Sequence, residues 1–308
     1  MGVFKFRKFD VRNEKSAMKV NTDGVLLGAL MTITGNERHL LDIGTGTGTI
    51  ALMAAQRLSE MPPRPQALFD EQSSELSKAE LQQESKGFLI DAIDIDEASA
   101  EEAGENFRDS LWARNLHVHH CALSEFSSEA SFDLIFSNPP FFTETLHSPS
   151  ERKARARHAD ALPLEEIMVF AALNLTDGGR LSLVLPSDRE KEASELAERH
   201  GLRLLRLVDI HGSDRKPAYR VIMEFSRNVG QKTAASREKV TINMNGKYSE
   251  QYLNIVSDFL LISSRLVDPS HLVDPSHLVD PSHLVDPSHL VDPSRQEEAF
   301  PARPCAHR

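Results

Sequence analysis

Cysteine is nearly missing from this chain. There are two among 308 residues, Cys121 and Cys305, far apart in sequence. A disulfide framework and a cysteine-rich zinc site are therefore excluded. Reduced thiols in a cytoplasmic protein are the expectation. Long apolar runs are also missing. None reaches the roughly 18 residues a helix needs to span a bilayer. The opening MGVFKFRKFD carries positive charge but no apolar core of a secretory signal. Phe6 stands where a myristoylation motif wants Ser or Thr. Excess positive charge is absent too: the net charge is -11. A protein wrapped non-specifically around nucleic acid is usually basic overall. Any such contact here must come from local patches. One candidate is residues 1–19, where Lys5, Arg7, Lys8, Arg12, Lys15 and Lys19 outnumber Asp10 and Glu14.

Two segments stand apart by composition. VDPS recurs every six residues from Val267, with His-Leu between the units. Each unit has a proline, which removes a ladder donor, and only Leu and Val as apolar groups. Residues 263–308 therefore read as a disordered low-complexity tail. The spaced His271, His277, His283 and His289 are explained by the repeat itself, and no metal is assigned to them. Residues 61–86 open with Pro62, Pro63 and Pro65 and continue polar, as a surface insertion would. This leaves residues 1–262 as one domain.

Within that domain strands and helices alternate. HLLDI (39–43), FLIDAID (88–94), HVHHCAL (117–123), FDLIFS (132–137) and GRLSLVLP read as strands, with helical patterns between. LRLLRLVDI and YRVIMEF follow, joined by a short loop that suits a hairpin. The pattern predicts an α/β fold: a doubly wound, mostly parallel seven-stranded sheet, Rossmann-like, with an antiparallel last strand.

The first of these strands runs into Gly44, Gly46 and Gly48 and then a helix. Glycines let such a turn approach a ligand without Cβ clashes. The dinucleotide fingerprint would need glycine at 49, which is Thr49. No phosphate loop with Gly-Lys-Ser/Thr is present either. D-x-G-x-G-x-G is instead similar to the loop of S-adenosylmethionine-dependent methyltransferases. A ribose-binding acid is expected about 20 residues further on, at the end of the next strand. Asp94 fits once the 26 residues of 61–86 are set aside, and Ile95 beside it can pack on an adenine.

Asn138-Pro139-Pro140-Phe141 follows FDLIFS directly. That strand should lie beside the first, so the motif should face the same ligand. The Asn138 side-chain oxygen and the Pro139 carbonyl are two acceptors, and Phe141 is a flat apolar face. An exocyclic amine conjugated to a ring is a poor nucleophile. Two acceptors gripping its N–H groups favour a pyramidal nitrogen whose lone pair can meet an electrophilic methyl. Catalysis by Asn138, Pro139 and Phe141 is then positioning with electrostatic complementarity. Asn-Pro is also an ordinary turn signal; the glycine loop before it favours the catalytic reading.

A glycine loop with NPP[YF] resembles the amino-group methyltransferases of adenine, guanine and glutamine. F-x-F-R-K-F near the start, AMKVNTDGVLLGA at 17–29, LDIGTGTG, AIDIDE, SNPPFF, VLP and GKYSEQY together resemble the bacterial tRNA1(Val) adenine-37 N6-methyltransferases. The resemblance covers roughly residues 4–262 without the insertion. It implies S-adenosylmethionine as cofactor and N6 of adenine 37 in tRNA1(Val) as target. It implies that Lys19, Thr22 and Asp23 lie beside the methionyl end of the cofactor, with Asp42 and Gly44 on its amino-acid part. Thr22 or Asp23 would also cap the helix GVLLGAL. Where many relatives hold the cofactor adenine with an acid after the third strand, this chain has Cys121-Ala122-Leu123, leaving backbone groups, Ser124 or Glu125.

Arg152, Lys153, Arg155 and Arg157 follow NPPF closely and, with the basic N-terminal segment, form an expected footprint for tRNA phosphates. A tRNA substrate is the one partner expected, with no membrane, metal or obligate protein partner. Two rivals remain. A glutamine-N5 methyltransferase shares the chemistry but usually carries an N-terminal helical domain, for which 38 residues are too few. A catalytically silent RNA-binding protein need not keep the complete Asn138–Phe141 set.

Overall fold

The structure, a computed structural model, describes residues 2–61, 87–140, 162–227 and 234–261. Phe141, the cluster Arg152, Lys153, Arg155 and Arg157, nearly all of the 61–86 insertion and the 263–308 tail lie outside them.

The chain opens with a small hairpin, β1 (Val3–Lys5) and β2 (Asp10–Arg12), then α1 (Thr22–Leu30). The alternation follows: β3 (His39–Ile43), α2 (Thr49–Glu60), β4 (Leu89–Asp94), α3 (Glu97–Arg108), β5 (Leu116–His120), β6 (Phe132–Ser137), α4 (Leu164–Asn174), β7 (Leu175–Pro186) and α5 (Glu190–Arg199). β8 (Leu202–Ser213), β9 (Ala218–Arg227), β10 (Ser236–Met244), β11 (Lys247–Tyr248) and α6 (Glu250–Val256) complete it. The main sheet has the order β11-β10-β8-β9-β7-β6-β3-β4-β5. β9 runs antiparallel to both neighbours, β7 and β8, as the hairpin reading requires.

All seven expected strands are present, and two more extend the sheet. β10 pairs parallel with β8, and β11 turns back on β10. β10 has no clear strand signature in the sequence, since its first four residues, Ser-Arg-Glu-Lys, are exposed. Only Val240, Thr241 and Ile242 are buried, so the strand lacks the apolar run that marks a central one.

The central strands are apolar because both faces are covered. Leu40, Ile90, Leu134 and Phe136 face α1, α2 and the N-terminal segment. Leu41, Ile43, Ile93 and Ile135 face α4 and α5. Alternate residues of one strand thus serve two cores.

Half of the cations of the basic N-terminal segment pair with acids of the domain. Lys8 meets Glu60 at 2.6 Å, Arg12 meets Asp109 at 2.6 Å, and Lys15 meets Glu105 at 2.8 Å. Glu102, buried on α3, accepts the backbone N–H groups of Glu14, Lys15 and Ser16. The segment is a strap over α3.

The strand histidines are structural as well. His39 and His119 each bond one oxygen of Asp91, at 2.7 and 2.8 Å. Burial pushes the Asp91 carboxyl up, but these two bonds outweigh it and hold it below its ordinary value. Among the described residues no cluster of His, Cys, Asp and Glu is arranged to hold a metal ion. No described helix is long and apolar enough to cross a membrane.

Candidate active site

β3 and β6 are parallel neighbours, with Asp42 opposite Phe136 and Ile43 opposite Ser137. Gly44 and Asn138 are therefore the residues that follow paired neighbours at the ends of adjacent strands. Ser137 Oγ donates to the Ile43 carbonyl at 2.6 Å and locks the two strand ends together. The glycine loop and the NPP motif thus share the C-terminal sheet edge, where open α/β sheets bind ligands.

The loop is a run of left-handed turns. Gly44, Gly46 and Gly48 have φ of +69°, +56° and +78°. The Gly44 and Thr45 N–H groups both donate to the Ile93 carbonyl, and Gly46 N–H donates to Asp94 Oδ2 at 2.8 Å. Asp94 also accepts the Asp96 N–H through Oδ1. Burial lifts the Asp94 carboxyl above its ordinary value against these two donors. Ile95 next to it is 52% exposed, a bare apolar platform at the strand end. A Cβ added at Gly44 would meet nothing within 4 Å, so the space over the loop is open there.

Asp42 sits beneath the loop, fully buried. Oδ2 accepts from Thr45 Oγ at 2.7 Å, while Oδ1 has no partner among the described residues. Burial, only partly offset by the Thr45 bond, raises its pKa to about 7. In the unfolded chain it titrates near 3.8. Between these values the folded protein holds a proton that the unfolded chain does not. Stability contributed here is present at low pH and lost as pH rises from about 4 to about 7. Asp42→Asn should remove that slope, on the order of a few kcal/mol across the window. Urea melts of both proteins at pH 5 and pH 8 test this, and parallel profiles would refute it.

Asn138 is buried. Its Nδ2 points to Asn21 Oδ1 at 3.5 Å and to Met18 Sδ at 3.7 Å. Asn21 is the N-cap of α1, its Oδ1 accepting Gly24 N–H at 2.8 Å and its Nδ2 donating to the Lys19 carbonyl. The cap therefore fixes which Asn21 atom faces Asn138, and an acceptor there demands the Asn138 amino group. The Asn138 carbonyl oxygen is turned the other way. Pro139 beside it is buried and Pro140 exposed.

The cap belongs to Asn21, not to Thr22 or Asp23 as expected from the sequence. Asp23 instead accepts Arg220 Nε at 2.7 Å. Lys19 Nζ donates to the Glu14 carbonyl at 2.7 Å. Lys19, Thr22 and Asp23 do lie on the segment that bridges loop and motif, since Ser16 and Met18 cover Gly46 while Met18 and Asn21 reach Asn138. After β5, Glu125 folds back so that its Oε2 accepts Ala122 N–H at 3.3 Å. Asn21, Met18 and Arg220 were not singled out from sequence. Asn-Thr-Asp offers three good caps in a row, and Arg220 lies 197 residues from Asp23.

Known proteins agree with this geometry. The RMKL-like methyltransferase domain matches residues 26–202. A tRNA1(Val) (adenine(37)-N6)-methyltransferase of Christiangramia forsetii is 36% identical over 84% of this chain and 97% of its own. The protein of that name from Proteus mirabilis is 33% identical over 84% of this chain and 94% of its own. This chain belongs to the tRNA1(Val) (adenine(37)-N6)-methyltransferase family. Like other members it is a methyltransferase with S-adenosylmethionine as donor. A structure of a predicted O-methyltransferase from Agrobacterium tumefaciens matches with a TM-score of 0.50 at 14% identity, covering 77% of this chain and 96% of that one. It shares the Rossmann-like fold. The relatives reported carry the adenine-N6 name, not that of a glutamine-N5 methyltransferase.

Proposed function

We propose that this chain methylates the exocyclic N6 of an adenine in tRNA, adenine 37 of tRNA1(Val) as in the names of its relatives. The observation that carries the reading is the Asn138 amide, whose Nδ2 points to Asn21 Oδ1 and whose carbonyl oxygen has no hydrogen-bond partner among the described residues, at the strand end beside the glycine loop. Bound S-adenosylmethionine would supply an electrophilic methyl group on a sulfonium. The residues fit such a donor. Gly44 leaves open space at the loop, Asp94 offers lone pairs for ribose hydroxyls, and Ile95 offers a face for its adenine. Lys19, Thr22, Asp23 and Asp42 are assigned to its amino-acid end.

On the substrate side, Asn138 Oδ1 and the Pro139 carbonyl would each accept one N–H of the target amine. This steers its lone pair out of the ring plane and toward the donor. Phe141 would stack on the flipped base. Arg152, Lys153, Arg155 and Arg157 would contact RNA phosphates. Residues 1–262 are taken as the catalytic domain, and the cytoplasm as its compartment. The test is methyl transfer from labelled S-adenosylmethionine to unmodified tRNA, duplex DNA and a glutamine-bearing protein in parallel. N6-methyladenosine from digested tRNA alone is the expected product. Label in the protein instead would overturn the reading.

A further inference from the structure

We propose that the outer corner of this sheet edge, built from the β8–β9 hairpin and the β10–β11 turn, carries the backbone of the RNA substrate. This rests on the reading of the site as an RNA adenine methyltransferase. β8 and β10 are parallel to β6, and β9 starts at the end where they finish. Both turns therefore open on the edge that holds Gly44 and Asn138. β8 stands three strands from β6, about 14 Å at ordinary spacing, a reach of two or three nucleotides.

The two turns form one surface. Asp214 N–H donates to the Asn243 carbonyl at 3.3 Å, and Asn243 Nδ2 donates to the Gly212 carbonyl at 3.0 Å. His211 Nδ1 meets the Lys216 carbonyl at 2.8 Å, which stiffens the hairpin tip. On this frame stand Arg215, Lys216 and Lys247, all exposed and without an ion pair to a described residue. Asp214 and Glu250 are acids on or beside these turns, and exposed Asp188 follows Ser187, whose Oγ donates to the Ala218 carbonyl at the start of β9. Tyr219 and Met244 add exposed apolar area, and the Arg220 guanidinium lies over the Tyr219 ring at 5.2 Å. Arg220 bonds Asp23, two residues from the Asn21 that touches Asn138. The corner is thus connected to the site through one ion pair.

Charge placement favours RNA over a protein partner. The chain is net acidic, and three of its six N-terminal cations, Lys8, Arg12 and Lys15, are paired with acids at α2 and α3. An exposed cationic corner with an aromatic ring, on the catalytic edge of such a protein, suits a polyanion with bases to stack. The positions of the cations at turn tips suit phosphate contacts, which position without reading sequence.

The test is a Kd series for unmodified transcribed tRNA against salt, with full-length protein. Arg215→Ala with Lys216→Ala and Lys247→Ala should weaken binding at least tenfold near 0.1 M salt. The slope of log affinity against log salt should become shallower by about 2, since three phosphate contacts are lost. Melting temperature and S-adenosylmethionine affinity should hold. Arg114→Ala, an exposed cation before β5 at the opposite end of the strands, should leave both affinity and slope unchanged. If wild-type protein methylates tRNA while the triple variant binds it with the wild-type slope, the corner is not the RNA surface. If wild-type protein neither binds nor methylates tRNA, both the corner and the reading beneath it fall.

Discussion

Asn138→Ala should lower kcat for methyl transfer by about 10²–10³-fold, the usual loss when one fixed hydrogen-bond partner of a developing charge is removed. Donor affinity should change little, because the loop that would hold the donor is braced by Asp94, Ile93 and Thr45 rather than by Asn138. The orientation of the amide gives a second, subtler handle. Asn21→Ser keeps a good helix cap, so stability should hold within about 1 kcal/mol. Serine is too short to accept from Asn138, whose amide is then free to turn. Asn21→Asp caps equally well and keeps the acceptor. The serine variant should lose kcat with KM nearly unchanged, and the aspartate variant should retain most of it. Single-turnover methylation of tRNA, with donor binding measured separately, reads all three. Full activity of Asn138→Ala would remove the motif from the chemistry.

The second large effect separates folding from ligand binding within one loop. Gly48 has φ of +78°, and a Cβ there would lie 2.5 Å from Phe107 Cε1 and 3.0 Å from Cζ. Phe107 is buried at the end of α3 and has little room to yield. Gly48→Ala combines left-handed strain with overpacking, together about 2–4 kcal/mol. For a domain of this size that is a fall in melting temperature of about 5–15 °C. Gly44→Ala carries similar backbone strain, about 1–2 kcal/mol, but its methyl group meets nothing. Its cost should fall on the ligand instead. Thermal melts with and without S-adenosylmethionine distinguish the two. Gly44→Ala should fold and lose stabilisation by the donor, whereas Gly48→Ala should fold poorly. Full stabilisation of Gly44→Ala by the donor would show that the open space over Gly44 is not where it binds.

Much of this site was legible in the sequence because its parts lie at strand ends. HLLDI and FDLIFS are uninterrupted apolar runs, which only a doubly covered sheet accommodates. Their ends deliver Gly44 and Asn138 to one edge. Asp94 emerged from spacing once the insertion was discounted. What escaped notice depends on partners far along the chain. Nothing local says that Lys15 and Arg12 are consumed by Glu105 and Asp109 some ninety residues later. The choice of Asn21 over Thr22 and Asp23 is made by backbone geometry, with Asn21 extended at φ of -138°. β10 is hard to read because its first four residues are exposed, and its pairing comes from β8 and β11 rather than from its own side chains.

The first and last stretches of the described domain are sewn together. Phe6 bridges to Leu260, Arg7 N–H donates to the Phe259 carbonyl, and Gln56 Nε2 donates to the Asp258 carbonyl. Phe6, Phe9, Tyr252, Val256 and Phe259 share one core. During synthesis the amino-terminal hairpin must therefore wait for some 250 residues to emerge before this seam can close. At about 5–20 residues per second the wait is roughly ten to fifty seconds. Through that interval Phe6 and Phe9 lack their carboxy-terminal cover, and closure of the seam is a late event in maturation of the domain.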